Sequence, residues 1–446
     1  MKDLTTGNIY KNFILFALPM VFSGLLSQAY ATIDTVIAGK YLGDVGLAAV
    51  GATAPLVSFV SSTFWGASVG FAVYIANLFG SKEYIRIKNA VFTGMITFFL
   101  LILSVSLLLI VFRNPLYSFL KIDSLTLHDA DIYFTVYIAG LAFIIFNTFN
   151  LLVMNSFGIS TFPFVMSILS AVLNIFGNVF TIIVLGWGVF GVALSSVVSS
   201  LIVDICYIFK YRACFREMGV LKEKPRFTQN AISSSVNYVL PNTFQQMIMY
   251  ASGFLISPIV NSIGQSATAA YTVIHRIYEI NATVYQNSSK TVANYTAQAN
   301  GAGKKSLFRR GVRVGLIQAF LFALPFVLSC SIFAEDIVKL FFDKYADSVS
   351  RDYAITFLRA YLPFIAINVI ANLFHAFFRG LGEKLPLVIA TFAGSVVRIV
   401  VTFLMIESLG MNGMFIGWAV SWVADAIVGI IYYFKYSKGF AADLNK

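Results

Sequence analysis

Asp34 is a carboxylate closing a long apolar run, in Tyr30-Ala-Thr-Ile-Asp34-Thr-Val-Ile-Ala-Gly39. An ionisable group inside such a run is costly and usually functional. Its chemistry would be cation or proton binding; the simpler reading is a carboxylate that meets water at the outer membrane interface. Pro19 lies fifteen residues earlier and removes one helix hydrogen bond, so a helix can bend there. Asn174 and Asn178 are spaced i, i+4, which puts both amides on one helix face. Ser195 and Ser196 follow in a run of small residues that also permits close helix packing. Grouped with oxygen-bearing Asn174, Asn178 and Ser196, Asp34 would suit a sodium ion or a protonated carboxyl.

A second set lies further along the chain. His275, Arg276, Glu279 and Lys290 share one run, with His275 and Glu279 at i, i+4 and Arg276 and Glu279 at i, i+3. They read either as a neutralising group with Lys290 reaching toward headgroups, or as a polar cavity wall. Asn150 and Arg398 join His275, Glu279 and Lys290 as candidates for a substrate cavity, and His375 is a further candidate. Asp204 and Asp425 lie nearer the ends of apolar runs and read as structural. No enzyme constellation is present: there are three His, no metal-ligand spacing, no phosphate-binding glycine loop and no ATP-binding domain. Cys206, Cys214 and Cys330 imply neither a disulfide nor chemistry. No cofactor is expected beyond a coupling ion, H+ or Na+.

The elements that must position these residues follow from composition. Of 446 residues, 59% are hydrophobic and 11% charged, and mean hydropathy is +0.82. That leaves too little polar surface for a water-soluble globule. The apolar runs are about twice the ten residues of a barrel strand, which indicates helices. Twelve segments are legible, at 13–37, 46–79, 90–112, 133–157, 163–186, 188–209, 236–260, 268–298, 311–333, 356–378, 386–408 and 411–434.

With the N-terminus in the cytoplasm, the cytoplasmic segments hold 21 Lys and Arg, the outer loops six and the spans four. Acidic residues run the other way, six inside and ten outside. This asymmetry is a strong positive-inside signal and places both termini in the cytoplasm of a multi-pass plasma (inner) membrane protein. The basic excess faces anionic lipid headgroups. It is spread over five segments, which argues against nucleic acid. The first run, with Ala29-Tyr30-Ala31, resembles a signal peptide with a cleavage site, but it has a partner in the second half.

The two halves repeat at an offset of about 222 residues. Pro19, Phe22 and Ala29 match Pro241, Phe244 and Ala251; Asn150 and Gly158 match Asn372 and Gly380; Tyr207, Phe209, Lys210 and Tyr211 match Tyr432, Phe434, Lys435 and Tyr436. Each repeat holds six spans, an even number, so the repeats run parallel. The expected fold is an all-α membrane protein. Its twelve transmembrane helices form two parallel six-helix repeats around a central cleft: an N-lobe at 1–209, a cytoplasmic linker at 210–230 and a C-lobe at 231–446. That is the architecture of an alternating-access transporter. A transporter without an ATP-binding domain draws its energy from an ion gradient.

Several motifs, in this order, resemble the multidrug and toxic compound extrusion (MATE) transporters. They are Leu18-Pro19, the Tyr30–Gly39 stretch continuing to Leu42-Gly43, Leu47-Ala-Ala-Val-Gly51, Ala297–Lys304, Phe378-Arg379-Gly380, Gly410-Met-Asn-Gly413 and Ala424-Asp425. The resemblance implies an inner-membrane antiporter that exports amphipathic, mostly cationic compounds against sodium or protons. One branch of that family bears its coupling carboxylate on the first helix, a position matched by Asp34. Tyr30, Asn174 and Ser196 match neighbouring polar positions, and Pro19 matches the bending proline. Asn178 stands where the family usually has Asp. A second branch uses carboxylates on the seventh and tenth helices, which here read Gln245-Gln246-Met247-Ile248-Met249 and Asn368-Val-Ile-Ala-Asn372, with no acid. The resemblance therefore points to the first-helix branch.

The expected function is a secondary active antiporter, not an enzyme. It is expected to act as a monomer in contact with membrane lipid and to export an organic cation. A flippase for a lipid-linked sugar or cell-wall precursor would need several cations to meet a pyrophosphate, and only Arg276, Lys290, Arg359 and Arg398 lie in spans. A channel would need a filter-like repeat, and none is seen.

Overall fold

The computed structural model describes all residues except Lys121, 343–346 and 443–446. It describes backbone only at Ala31, Asp34, Thr35, Val36, Ala38, Asp44, Val45, Leu47, Phe254, Ser257 and 438–442. The fold is all-α, as a bilayer demands of a chain that must satisfy every backbone group internally.

The helices, in chain order, are α1 (Ile9–Gly80), α2 (Tyr84–Val111), α3 (Arg113–Leu120), α4 (Ser124–Ala139), α5 (Leu141–Ser156), α6 (Thr161–Val179) and α7 (Gly188–Glu217). They continue with α8 (Gln229–Ile263), α9 (Gln265–Gly301), α10 (Phe308–Ile332), α11 (Ala334–Lys339), α12 (Ser348–Thr356), α13 (Ile365–Leu381), α14 (Lys384–Leu409) and α15 (Met411–Ala442). Ten stretches among the described residues are long and apolar enough to cross a membrane. The pair α4 and α5, bent by 48° at Gly140, makes an eleventh.

The twelfth pass is α9. Its polar composition keeps it from qualifying by apolarity, yet it runs through the predicted eighth span. From Asn281 to Ala299 most of its side chains are buried inside protein, so it needs little apolar surface for lipid. The helices overrun the predicted limits at most ends, because hydropathy marks only the hydrocarbon layer while the helix continues through the polar flanks.

The first two predicted spans are one helical element, α1, broken at Gly43 (φ 68°, ψ −171°). Positive φ of this kind is open to glycine and strained for other residues. Helical structure is continuous through Pro19.

The chain divides into two compact units. The first holds Met1–Asp3 and Phe22–Val239; the second holds Leu4–Val21 and Leu240–Lys446. The division within α1 thus falls two residues beyond Pro19. In the second unit, Leu4, Ile9, Phe13, Phe16 and Met20 join the core that contains Tyr285 and Val292. The Phe13 ring meets Tyr295 edge-on at 5.1 Å. Leu4 donates its N–H to Gln298 Oε1 at 2.9 Å.

In the first unit, the segment after α7 is pinned to α2. Buried Lys88 donates to the carbonyls of Val220 at 2.8 Å and Leu221 at 2.9 Å, and to that of Glu223. Three ammonium protons thus meet three acceptors. Arg226 N–H donates to Asn89 Oδ1 at 2.9 Å, and Thr228 N–H to Thr93 Oγ1 at 3.1 Å. In the turn before α2, burial raises the Glu83 carboxyl, but hydrogen bonds from Arg86 and Ser81 outweigh it and hold the group below the ordinary carboxylate range.

Candidate functional site

In the first unit, α6 and α7 pack closely enough that a Cβ on Gly177 would lie 2.7 Å from Ser195 Cβ. This contact brings two amides and two hydroxyls together. Asn178 Nδ2 donates to Asn174 Oδ1 at 3.1 Å, and Asn174 Nδ2 donates to Ser196 Oγ at 3.0 Å. The Ser195 hydroxyl reaches Asn178 Oδ1 and also the Gly191 carbonyl at 2.7 Å, so its one proton serves one acceptor at a time. Asn174 and Asn178 are 2% and 0% exposed. A π turn, Phe180–Val184, follows directly; such turns are found often at functional sites.

The structure therefore places Asn174, Asn178 and Ser196 in one cluster and adds Ser195, which sequence reading noted without separating it from its neighbour. The arrangement is neutral and hydrogen-bonded throughout. It can supply amide and hydroxyl oxygens to a cation, or reorient a single hydroxyl proton. Tyr30 is half-buried on α1, as is Pro19. Asp34 lies on the helical part of α1, but its side chain is outside the described residues.

Asn150 is 3% exposed and is held inside the first unit. Its Nδ2 donates to Asp204 Oδ1 at 3.0 Å, and Tyr211 Oη donates to its Oδ1 at 3.1 Å. Asp204 Oδ2 is buried without a hydrogen-bond partner. This triad ties α5 to α7.

In the second unit, His275 Nε2 lies 3.9 Å from Glu279 Oε1, with the two side chains 47% and 40% exposed. They border an aromatic cluster. The Arg398 guanidinium stands 4.5 Å over the Trp418 ring, a favourable cation–π geometry. Tyr278 stacks on Trp422 at 5.9 Å, and Asn368 Nδ2 donates to the hydroxyls of Tyr278 and Tyr285 at 3.2 and 2.9 Å. Lys290 stands apart, about 16 Å along the helix from Glu279 by the α-helical rise, and donates to Asn287 Oδ1 at 2.8 Å.

A further polar network was not legible in the sequence. His375, 5% exposed, places Nε2 at 2.8 Å from Asp425 Oδ1 and Nδ1 at 3.1 Å from Gln245 Nε2. Gln245 Nε2 also donates to Thr391 Oγ1 at 3.1 Å, and its Oε1 accepts from Arg379 Nη2 at 2.8 Å. Arginine only donates, so it fixes which end of the amide faces it. The Gln245 nitrogen then faces the ring, and His375 must carry its proton on Nε2, toward Asp425. Asp425 is thus the carboxylate end of a five-residue network drawn from α8, α13, α14 and α15.

The MatE family model matches residues 19–180 and 241–404, one stretch in each half, at the spacing that the internal repeat requires. The probable multidrug resistance protein YoeA of Bacillus subtilis (strain 168) is 21% identical, over 96% of this chain and 94% of that protein. An FAD transporter of Shewanella oneidensis is 24% identical, over 76% of this chain and 77% of that protein. A crystal structure of MATE in complex with MaL6 shares the fold, with a TM-score of 0.91, 20% identity and 99% of both chains covered. Matched through most of both repeats, the chain belongs to the MatE family of multidrug and toxic compound extrusion transporters, and it is not an enzyme.

Proposed function

We propose that this transporter is an antiporter that exports amphipathic, cationic compounds across the plasma membrane by alternating access. Protons drive it through Asp34, with both termini in the cytoplasm. The observation that carries the reading is the buried cluster of Asn174, Asn178, Ser195 and Ser196. A polar cluster deep among apolar helices is what a charge-handling carboxylate on α1 requires as a partner. Protons are favoured over sodium because Asn174 Oδ1 already accepts a hydrogen bond and Asn178 Oδ1 lies within reach of the Ser195 hydroxyl, and a single carboxylate makes a weak sodium site. Protonation neutralises Asp34 without recruiting those oxygens. Tyr30 completes the polar neighbourhood, Pro19 lets α1 bend, and the His275–Glu279–Arg398 cluster is assigned to substrate contact. The name of its relative YoeA, a probable multidrug resistance protein, supports export of drug-like compounds.

The test is loss of fluorescent cationic dyes from expressing cells. Accelerated efflux that stops when a protonophore collapses the gradient supports the reading. Efflux that survives collapse of both the proton and the sodium gradient overturns it. A second reading, export of an anionic flavin nucleotide, is favoured by the FAD transporter relative. FAD movement with no dye movement would decide for it.

A further inference from the structure

A groove of about 530 Å³ opens on the second unit between α10, α13 and α15. Its walls are apolar, with Leu316 and Phe320 from α10, Phe374 from α13 and Tyr433 from α15. One end carries two guanidinium groups, Arg309 and Arg313, one helical turn apart on α10 and both exposed. Arg309 donates to the Ser437 carbonyl at 3.2 Å. Among the described residues neither arginine has a salt-bridge partner.

An apolar slot ending in two guanidinium cations has the polarity of an anionic amphiphile. From Arg313 to Phe320 the slot runs about 10 Å along α10, against roughly 15 Å for one leaflet of hydrocarbon. In the orientation proposed above, the arginines stand at the inner headgroup level, where anionic lipid is concentrated. A cationic substrate would meet like charge at the mouth.

We propose that this groove binds one anionic phospholipid of the inner leaflet, with an acyl chain along Leu316, Phe320 and Phe374 and the phosphate on Arg309 and Arg313. The bound chain braces α13, which carries His375 and Arg379, against α15, which carries Asp425.

The test reads lipid rather than transport, so it stands apart from the assignment of substrate and ion. The full chain, purified in a neutral detergent, is titrated with phosphatidylglycerol, with phosphatidylcholine and with inorganic phosphate while its thermal unfolding is followed. A Phe320→Trp reporter is read in parallel for quenching by lipids brominated on the acyl chain. Phosphatidylglycerol is expected to raise the melting temperature and quench the reporter, and the other two ligands are not. Arg309→Gln/Arg313→Gln should keep the melting temperature found in detergent alone and bind phosphatidylglycerol on the order of tenfold more weakly. Equal effects of the two lipids, a full effect from inorganic phosphate, or undiminished binding by the double variant would each overturn the proposal.

Discussion

The Ser195 hydroxyl of α7 bonds the amide oxygen of Asn178 on α6, at a point where Gly177 lets the two helices approach. Asn178 in turn holds Asn174. Removing Asn178 takes this donor from the buried Asn174 Oδ1, while the Ser195 hydroxyl can fall back on the Gly191 carbonyl. Asn178→Leu should destabilise the protein by about 1–3 kcal/mol, the cost of leaving a buried polar group unpaired. Ser195→Ala should cost less, since Asn178 keeps its bond to Asn174. Thermal unfolding in detergent checks the order; a larger loss for Ser195→Ala would break the proposed chain.

Gly43 and Gly51 both have open space where a Cβ would stand. Only Gly43 has positive φ. Gly43→Ala should cost about 1–3 kcal/mol through backbone strain alone, and Gly51→Ala should not destabilise. Equal melting temperatures for the two variants would mean that the break in α1 does not need glycine.

Lys88 clamps the segment between α7 and α8 by three carbonyls. Lys88→Met keeps the stem but loses every donor. The segment holding Lys222, Lys224 and Arg226 should then be cut faster by trypsin in detergent, with the helices still intact by circular dichroism. Unchanged cleavage would show that the other contacts suffice.

Gln245 and Asp425 bond opposite nitrogens of the His375 ring that lies between them. Gln245→Leu and Asp425→Ala should each lower stability, and together less than the sum of the two. A coupling of about 0.5–3 kcal/mol is expected for residues in one network. Strict additivity would show that His375 does not link them.

Much of the fold was legible because a bilayer imposes long apolar helices and leaves charge to report the sides. What stayed hidden follows from the same physics. The α1 break reads as a loop in sequence, because a single glycine does the work of one. The α9 helix was legible as the 268–298 span, but not that protein, rather than lipid, surrounds most of it. Within one helix, i, i+4 spacing showed that Asn174 and Asn178 share a face. Between helices, spacing carries no such information. So the partners of Asn150, namely Asp204 and Tyr211, and the Gln245–His375–Thr391–Asp425 network were not visible. Asp425 looked structural from its place near a span end, and only the fold joins it to His375.

The most direct test of proton coupling through Asp34 uses purified protein in liposomes with a cationic dye supplied outside. A pH gradient and a sodium gradient are imposed separately, on wild type and on Asp34→Asn. Wild-type transport under the pH gradient alone is expected, and Asp34→Asn, fixed in the neutral form, should bind dye but fail to accumulate it. Accumulation driven by sodium at matched pH would contradict the choice of ion, and active transport by Asp34→Asn would contradict the site itself.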